Sequence, residues 1–149
     1  MTEFEPRDPD FEARVRESFA RQTLMGTIGA RLVTVSPGAV EIELPFREDL
    51  SQQHGYLHAG VVTAIVDTAC GYSALTLMDA GAEVLTIEYK INFVSPALGE
   101  RLVARGRVTR PGRTVTVCAG DVFAEGGGKV KLVASMLATM ISLRGEKGA

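Results

Sequence analysis

Apolar positions first recur at helical spacing. Between Asp8 and about Leu24, Phe11, Val15 and Phe19 stand at i, i+4 and i+8 with charges on the remaining faces, and Ser18 and Gln22 fall between these turns. The pattern predicts one amphipathic helix, opened by Asp8-Pro9 because proline suits a first helical turn, and ended by the glycine-containing stretch Gly26 to Ala30. The rhythm then changes to alternation. Arg31 to Val35 and Ala39 to Leu44 flank Ser36-Pro37-Gly38, and proline followed by glycine fits a type II turn, so a hairpin is predicted.

After a polar, irregular stretch from Phe46 to Leu57, the segment from Ala59 to about Met78 is apolar almost all the way round. A helix without a polar face is a buried helix, and about 20 residues of it would run about 30 Å. Something must wrap around it. Four segments with alternating or β-branched character follow: Glu83 to Val94, Glu100 to Arg110, Arg113 to Phe123 and Lys129 to Leu143. Ser95-Pro96, Pro111-Gly112 and Gly126-Gly127-Gly128 punctuate them, as turns between strands should. In the first of these strands, plain alternation puts Leu85, Ile87, Tyr89, Ile91 and Phe93 on one face and Thr86, Glu88, Lys90 and Asn92 on the other. The element order predicts an α+β domain in which a long central helix is wrapped by a mostly antiparallel six-stranded sheet, with an extra N-terminal helix. The expected division is a helical extension over 1–25, one domain over 26–143 and a tail over 144–149.

Composition narrows the class. With 149 residues, 46% apolar and 23% charged, the chain suits one globular domain with a real core. Sixteen basic against eighteen acidic residues, with no long run of either sign, argue against nucleic acid or an anionic membrane as partner. Cys70 and Cys118 have small or apolar neighbours and form no metal-type or redox-type pair. Met1 to Asp10 lacks the layout of a signal peptide, and no apolar stretch approaches the roughly 18 residues of a membrane span. A soluble, cytoplasmic protein is expected.

Asp67 is the chemical anomaly, a carboxylate near the middle of the apolar helix. Burial there raises a carboxyl pKa, which suits a general base; an acid bonded into a structural network on the stripe Thr63, Asp67, Gly71 fits the same position. His54 and His58 stand four apart, but Gly55 lies between them in a segment that reads as a loop entering a helix, and the glutamate of a helical zinc motif is absent, so no metal site is expected. Cys70 on an apolar helix suits packing rather than nucleophilic attack. His58-Ala59-Gly60 opens the buried helix, where backbone N–H groups without internal partners meet the positive end of the dipole and could hold a developing oxyanion. A donor loop, a helix terminus and a buried acid are together the parts needed for acyl transfer to water.

The string Gln52-x-x-Gly55-x-x-His58-Ala59-Gly60, followed by Asp67, resembles the signature of hotdog-fold thioesterases of the phenylacetate-pathway (PaaI-like) type. Val84 to Pro96 resembles that family's strand after the central helix, and Gly99 to Arg113 its following hairpin. The resemblance implies a thioester hydrolase acting on an acyl-CoA. It implies Asp67 as general base or nucleophile, the Ala59 N–H after His58 as the donor to the carbonyl, and Gln52 as a positioning amide. Family members often carry His-Gly-Gly and an upstream Asn, so Ala59 and Gln52 are departures. Thr86 matches the hydroxyl that orients water, yet alternation assigns it to the wrong face unless a bulge or a subunit interface intervenes.

By the same resemblance His54 and Gly55 border the substrate, and Phe93 and Val94 line a pantetheine channel. Arg110 and Arg113, flanking Pro111-Gly112 among the arginines of the later hairpin, suit either a solvated strand face or the coenzyme A phosphates. No cofactor beyond the substrate's own coenzyme A is expected, and a homodimer or homotetramer is. The rival reading from another class is a non-catalytic acyl-CoA binding or sensing module, which has little reason to keep an acid in the helix. A hydratase of this fold would need an aspartate and histidine pair that is not evident.

Overall fold

The computed structural model describes residues 3–144. In order come α1 (Phe11–Arg21), α2 (Thr23–Ile28), β1 (Arg31–Ser36), β2 (Ala39–Pro45), a 3-10 turn (Glu48–Leu50), α3 (Ala59–Leu75), β3 (Ala82–Phe93), β4 (Arg101–Arg110), β5 (Val115–Gly126) and β6 (Lys129–Arg144). The strands form a single sheet in the order β1-β2-β4-β5-β6-β3, antiparallel throughout. This is the hotdog arrangement, with α3 packed on one face of the sheet. Gly38 takes φ +78° in the β1-β2 turn, the left-handed conformation that a type II turn requires at that position.

Close approach of helix to sheet depends on two glycines paired across β4 and β5. A Cβ on Gly106 would lie 2.4 Å from the Ala69 carbonyl carbon, and one on Gly120 would lie 2.6 Å from Val66. Between these layers Ile65, Val66, Ala69 and Cys70 are completely buried.

The predicted single N-terminal helix is two. Gln22 turns extended (φ −75°, ψ 100°) and α2 continues through Gly26 to a cap at Gly29 with φ +81°. The turn brings Met25 and Ile28 into the core, a gain that a straight continuation along one amphipathic face would not give. It also places the expected boundary at residues 25 and 26 inside α2. Arg14 anchors α1 to the end of the central helix, donating to Leu75 O at 2.7 Å, Met78 O at 3.0 Å and Asp79 O at 2.6 Å. These are carbonyls that a helix terminus leaves without partners. The α-helix stops at Leu75 rather than near Met78, because the Thr76 hydroxyl bonds back to Ser73 O and accepts the Gly38 N–H, while Leu77 and Met78 close tighter three-residue turns.

The expected face of β3 is corrected by a bulge at Ile87: Thr86 pairs with Met140 and Glu88 with Thr139. One extra residue reverses the alternation. Val84 and Thr86 therefore share the helix-facing side with Tyr89, Ile91 and Phe93, whose partners Ala138, Met136 and Ala134 are buried. β3 is the last strand of the sheet, and Leu85, Ile87, Tyr89 and Phe93 along it stay exposed. β6 runs through Arg144, one residue into the expected tail; residues 145–149 lie outside the described residues. Among the described residues no helix is long and apolar enough to cross a membrane.

Candidate active site

The loop before α3 is braced by its own amide. Gln52 Oε1 accepts the His54 and Tyr56 N–H groups, while Gln52 N–H donates to Tyr56 O at 2.8 Å and Gly55, at φ +85°, closes the turn onto Gln52 O. The Gln52 carbonyl thus holds the loop, and its amide N–H groups are the part available to a ligand. His58 is the N-cap of α3, its Nδ1 accepting the Gly60 N–H at 2.8 Å. An accepting Nδ1 places the proton of the neutral ring on Nε2. With Gly60 engaged by His58, the Ala59 N–H stands at the exposed start of the helix. Gln52, His58 and Ala59 border a cavity of about 470 Å³ together with Phe93, Val94 and Pro96. Among the described residues no cluster of three potential metal ligands occurs.

A second cavity, about 360 Å³, lies farther along α3 and holds Asp67. Thr86 Oγ1 donates to Asp67 Oδ1 at 2.8 Å and lies 3.3 Å from Met140 Sδ, so the bulge resolves the placement of Thr86. Burial raises the half-buried Asp67 carboxyl above its usual range, and the Thr86 hydrogen bond opposes part of the rise. Burial also raises both thiols, Cys118 to about 12, which leaves neither as a nucleophile near neutral pH.

The two halves do not meet within one protomer. Ala59 and Asp67 are eight residues apart on one helix, about 12 Å along its axis, beyond the reach of a single carbonyl group. His54, Gly55 and Gly60 shape the loop and helix start rather than the cavity wall. Arg110 and Arg113 lie toward the opposite end of the sheet from Phe93 and Val94: across β6 and β5, Phe93 stands level with Ala104, six residues or about 20 Å along β4 from Arg110, and Ser142, which pairs with Val84, bonds to Thr114 O beside Arg113. Arg101, Arg105 and Arg107 form cross-strand ion pairs with Glu125, Glu41 and Asp121.

Sequence reasoning missed Ser18, Gln22, Leu24 and Tyr72, which border the Asp67 cavity. The available signal was Tyr72 itself, a hydroxyl on an apolar helix that must find a partner when buried.

The thioesterase superfamily model matches residues 54–131, about half of the chain. The crystal structure of a thioesterase family protein from Silicibacter pomeroyi has a TM-score of 0.89 and 48% identity, covering 91% of this chain and 99% of that one. Acyl-coenzyme A thioesterase 13 of Homo sapiens is 31% identical over 100 residues, 66% of this chain and 71% of that protein. The PaaI protein of E. coli shares the fold, with a TM-score of 0.83 at 16% identity over 91% of this chain and 95% of that one. On the family match and the hotdog architecture together, the chain belongs to the thioesterase superfamily and is a thioester hydrolase.

Proposed function

We propose that the protein hydrolyses an acyl-CoA thioester to the free acid and coenzyme A, with Asp67 acting at the thioester carbon. The observation that supports this is the half-buried Asp67 carboxylate, held through one oxygen by Thr86, on the wall of a cavity. As general base, Asp67 takes a proton from water while the water oxygen attacks the carbonyl carbon. Charge builds on the carbonyl oxygen, the C–S bond breaks, and the proton passes to the departing thiolate. As nucleophile, an Asp67 carboxylate oxygen attacks the carbonyl carbon and expels the coenzyme A thiolate, and water then hydrolyses the resulting mixed anhydride to the free acid and restores the carboxylate.

The oxyanion needs a donor, and a helix N-terminus supplies one with no reorganisation. Because about 12 Å separate the two groups on α3, we assign the donor facing Asp67 to Ala59 of the partner subunit. The exposed edge of β3, with Leu85, Ile87 and Tyr89 along it, suits self-association. Two-fold pairing runs two such edges antiparallel, which brings the Thr86 end of one copy toward the Phe93 end of the other. The assembly in this reading is a homodimer, or a homotetramer built from two dimers. In this pairing the subunit that supplies Ala59 also supplies Gln52 and His58 to position the substrate and Phe93 and Val94 to line the pantetheine arm, while Arg110 and Arg113 of the subunit that supplies Asp67 meet coenzyme A phosphates. A cytoplasmic location and activity without metal or added cofactor belong to the same reading.

A hydrolysis screen over aryl, short-chain and medium-chain acyl-CoAs tests it. Release of free coenzyme A that is lost in Asp67→Asn is the expected result. Binding of acyl-CoA with no turnover of any member would instead make the protein a sensor.

A further inference from the structure

The Asp67 cavity has a far wall that the proposed chemistry does not use. One helical turn beyond Asp67, a Cβ on Gly71 would meet nothing nearer than Met140 Sδ at 4.0 Å, so this side of α3 opens onto space. The space ends on Tyr72, which is 4% exposed and packs against Phe19 with ring centroids 6.2 Å apart. The Tyr72 hydroxyl lies 3.0 Å from Ser18 Oγ and accepts the Gln22 amide N–H at 2.9 Å. Ser18 belongs to α1 and Gln22 to the bend that follows it. Ala64, Val84 and Leu24 supply apolar sides, with Thr68 beside them. Beyond Asp67 and Thr86 the chamber has mixed sides, with Thr68 as the polar group among them, and ends on a cluster of three polar side chains.

We propose that the cluster of Ser18, Tyr72 and Gln22 is the specificity wall of an acyl chamber, selecting short acyl groups that carry a hydroxyl at the far end. The assignment rests on the reading of Asp67 as the group acting on the thioester. Tyr72 lies five residues beyond Asp67, about 7.5 Å along the helix axis, the span of an extended acyl chain of about six carbons with a terminal hydroxyl. A phenol both donates and accepts, and the Gln22 amide carries a carbonyl acceptor beside it, so a hydroxyl tip can join the cluster. A methyl tip brought against these polar groups offers no hydrogen bond in return. α1 and the bend after it thereby become part of the substrate site rather than an appendage to the domain.

The test compares hexanoyl-CoA with 6-hydroxyhexanoyl-CoA. For the wild type, kcat/KM is expected to favour the hydroxylated substrate by about tenfold or more, since sites that hydrogen-bond a substrate group discriminate against analogues lacking it. Tyr72→Phe and Gln22→Leu keep shape while removing polar atoms, and each should bring the ratio toward one. The wild-type ratio requires no variant, so a poorly folding variant leaves the test decisive. A wild type that treats the two substrates alike overturns the assignment and leaves the Asp67 chemistry standing. Variants that slow both substrates equally do the same. A wild type that hydrolyses neither these nor any other acyl-CoA overturns both readings.

Discussion

Thr86 Oγ1 donates a 2.8 Å hydrogen bond to Asp67 Oδ1 across the junction of β3 and α3, from a strand position that simple alternation assigns to the opposite face. The bond fixes one carboxylate oxygen and opposes part of the burial-driven rise in the Asp67 pKa.

Asp67→Asn keeps size and hydrogen-bonding capacity but removes the basic group. It should lower kcat by roughly a hundredfold or more with little change in acyl-CoA affinity. In the wild type, kcat should fall on the acid side, at a pH above the usual aspartate value of 3.8, because protonation removes the acting form. Stability carries its own signature. The raised folded-state pKa contributes stability that is fully present below the unfolded value and is lost as pH rises through the folded one. Between those two pH values Asp67→Asn should flatten the fall of stability with rising pH. Thermal melts across that window check it, and an active, unaltered variant would remove Asp67 from the mechanism.

Thr86→Val preserves shape and deletes the donor. Without the opposing hydrogen bond the Asp67 pKa rises further, so the acid limb of the kcat profile should move to higher pH. A pH-rate series on the purified variant reads the shift directly. An unmoved limb would mean that the titrating group is not Asp67.

Ala59→Pro isolates one backbone donor. Proline is well tolerated at a first helical position, and His58 already has the extended conformation (φ −60°, ψ 138°) that a following proline demands. The expected result is an unchanged melting temperature with kcat down about a hundredfold. If each site draws on two copies, coexpressing Ala59→Pro with Asp67→Asn forms mixed dimers holding one intact site, so about a quarter of wild-type activity should return. No recovery in a verified heterodimer would place both groups in one subunit. Light scattering should accordingly give at least a dimer, and a stable, active 15.9 kDa monomer would contradict the shared site.

In the proposed reading Arg110 and Arg113 meet coenzyme A phosphates, which a truncated substrate lacks. Arg113→Ala should raise KM for an acyl-CoA and leave a thioester ending at the pantetheine arm nearly unaffected. Equal effects on both substrates would return these arginines to a solvated surface role.

Chelation should leave activity intact. His58 commits Nδ1 to the cap of α3, and a carboxylate base takes the place of metal-activated water. Loss of turnover with a chelator and its return with zinc would contradict the proposed chemistry.

The sequence alone determined the features that depend on neighbours along the chain. Apolar residues on every side of Ala59 to Leu75 require a buried helix, Pro37-Gly38 requires a turn with a positive φ, and Asp67 stands out because a charge in such a helix needs a reason. The loop, cap and acid of the thioesterase motif are legible for the same cause. Tertiary structure decided what depends on register and packing. Whether Thr86 or Leu85 faces α3 turns on one residue inserted at Ile87, which pairing with β6 selects and no local propensity specifies. The bend at Gln22 is set likewise by burial of Met25 and Ile28, and with α1 docked through Arg14 it brings Ser18 and Gln22 to Tyr72. The separation of Ala59 from Asp67 follows from the straightness of one helix, a rise of about 1.5 Å per residue. Residues close in sequence therefore border two separate cavities of the protomer.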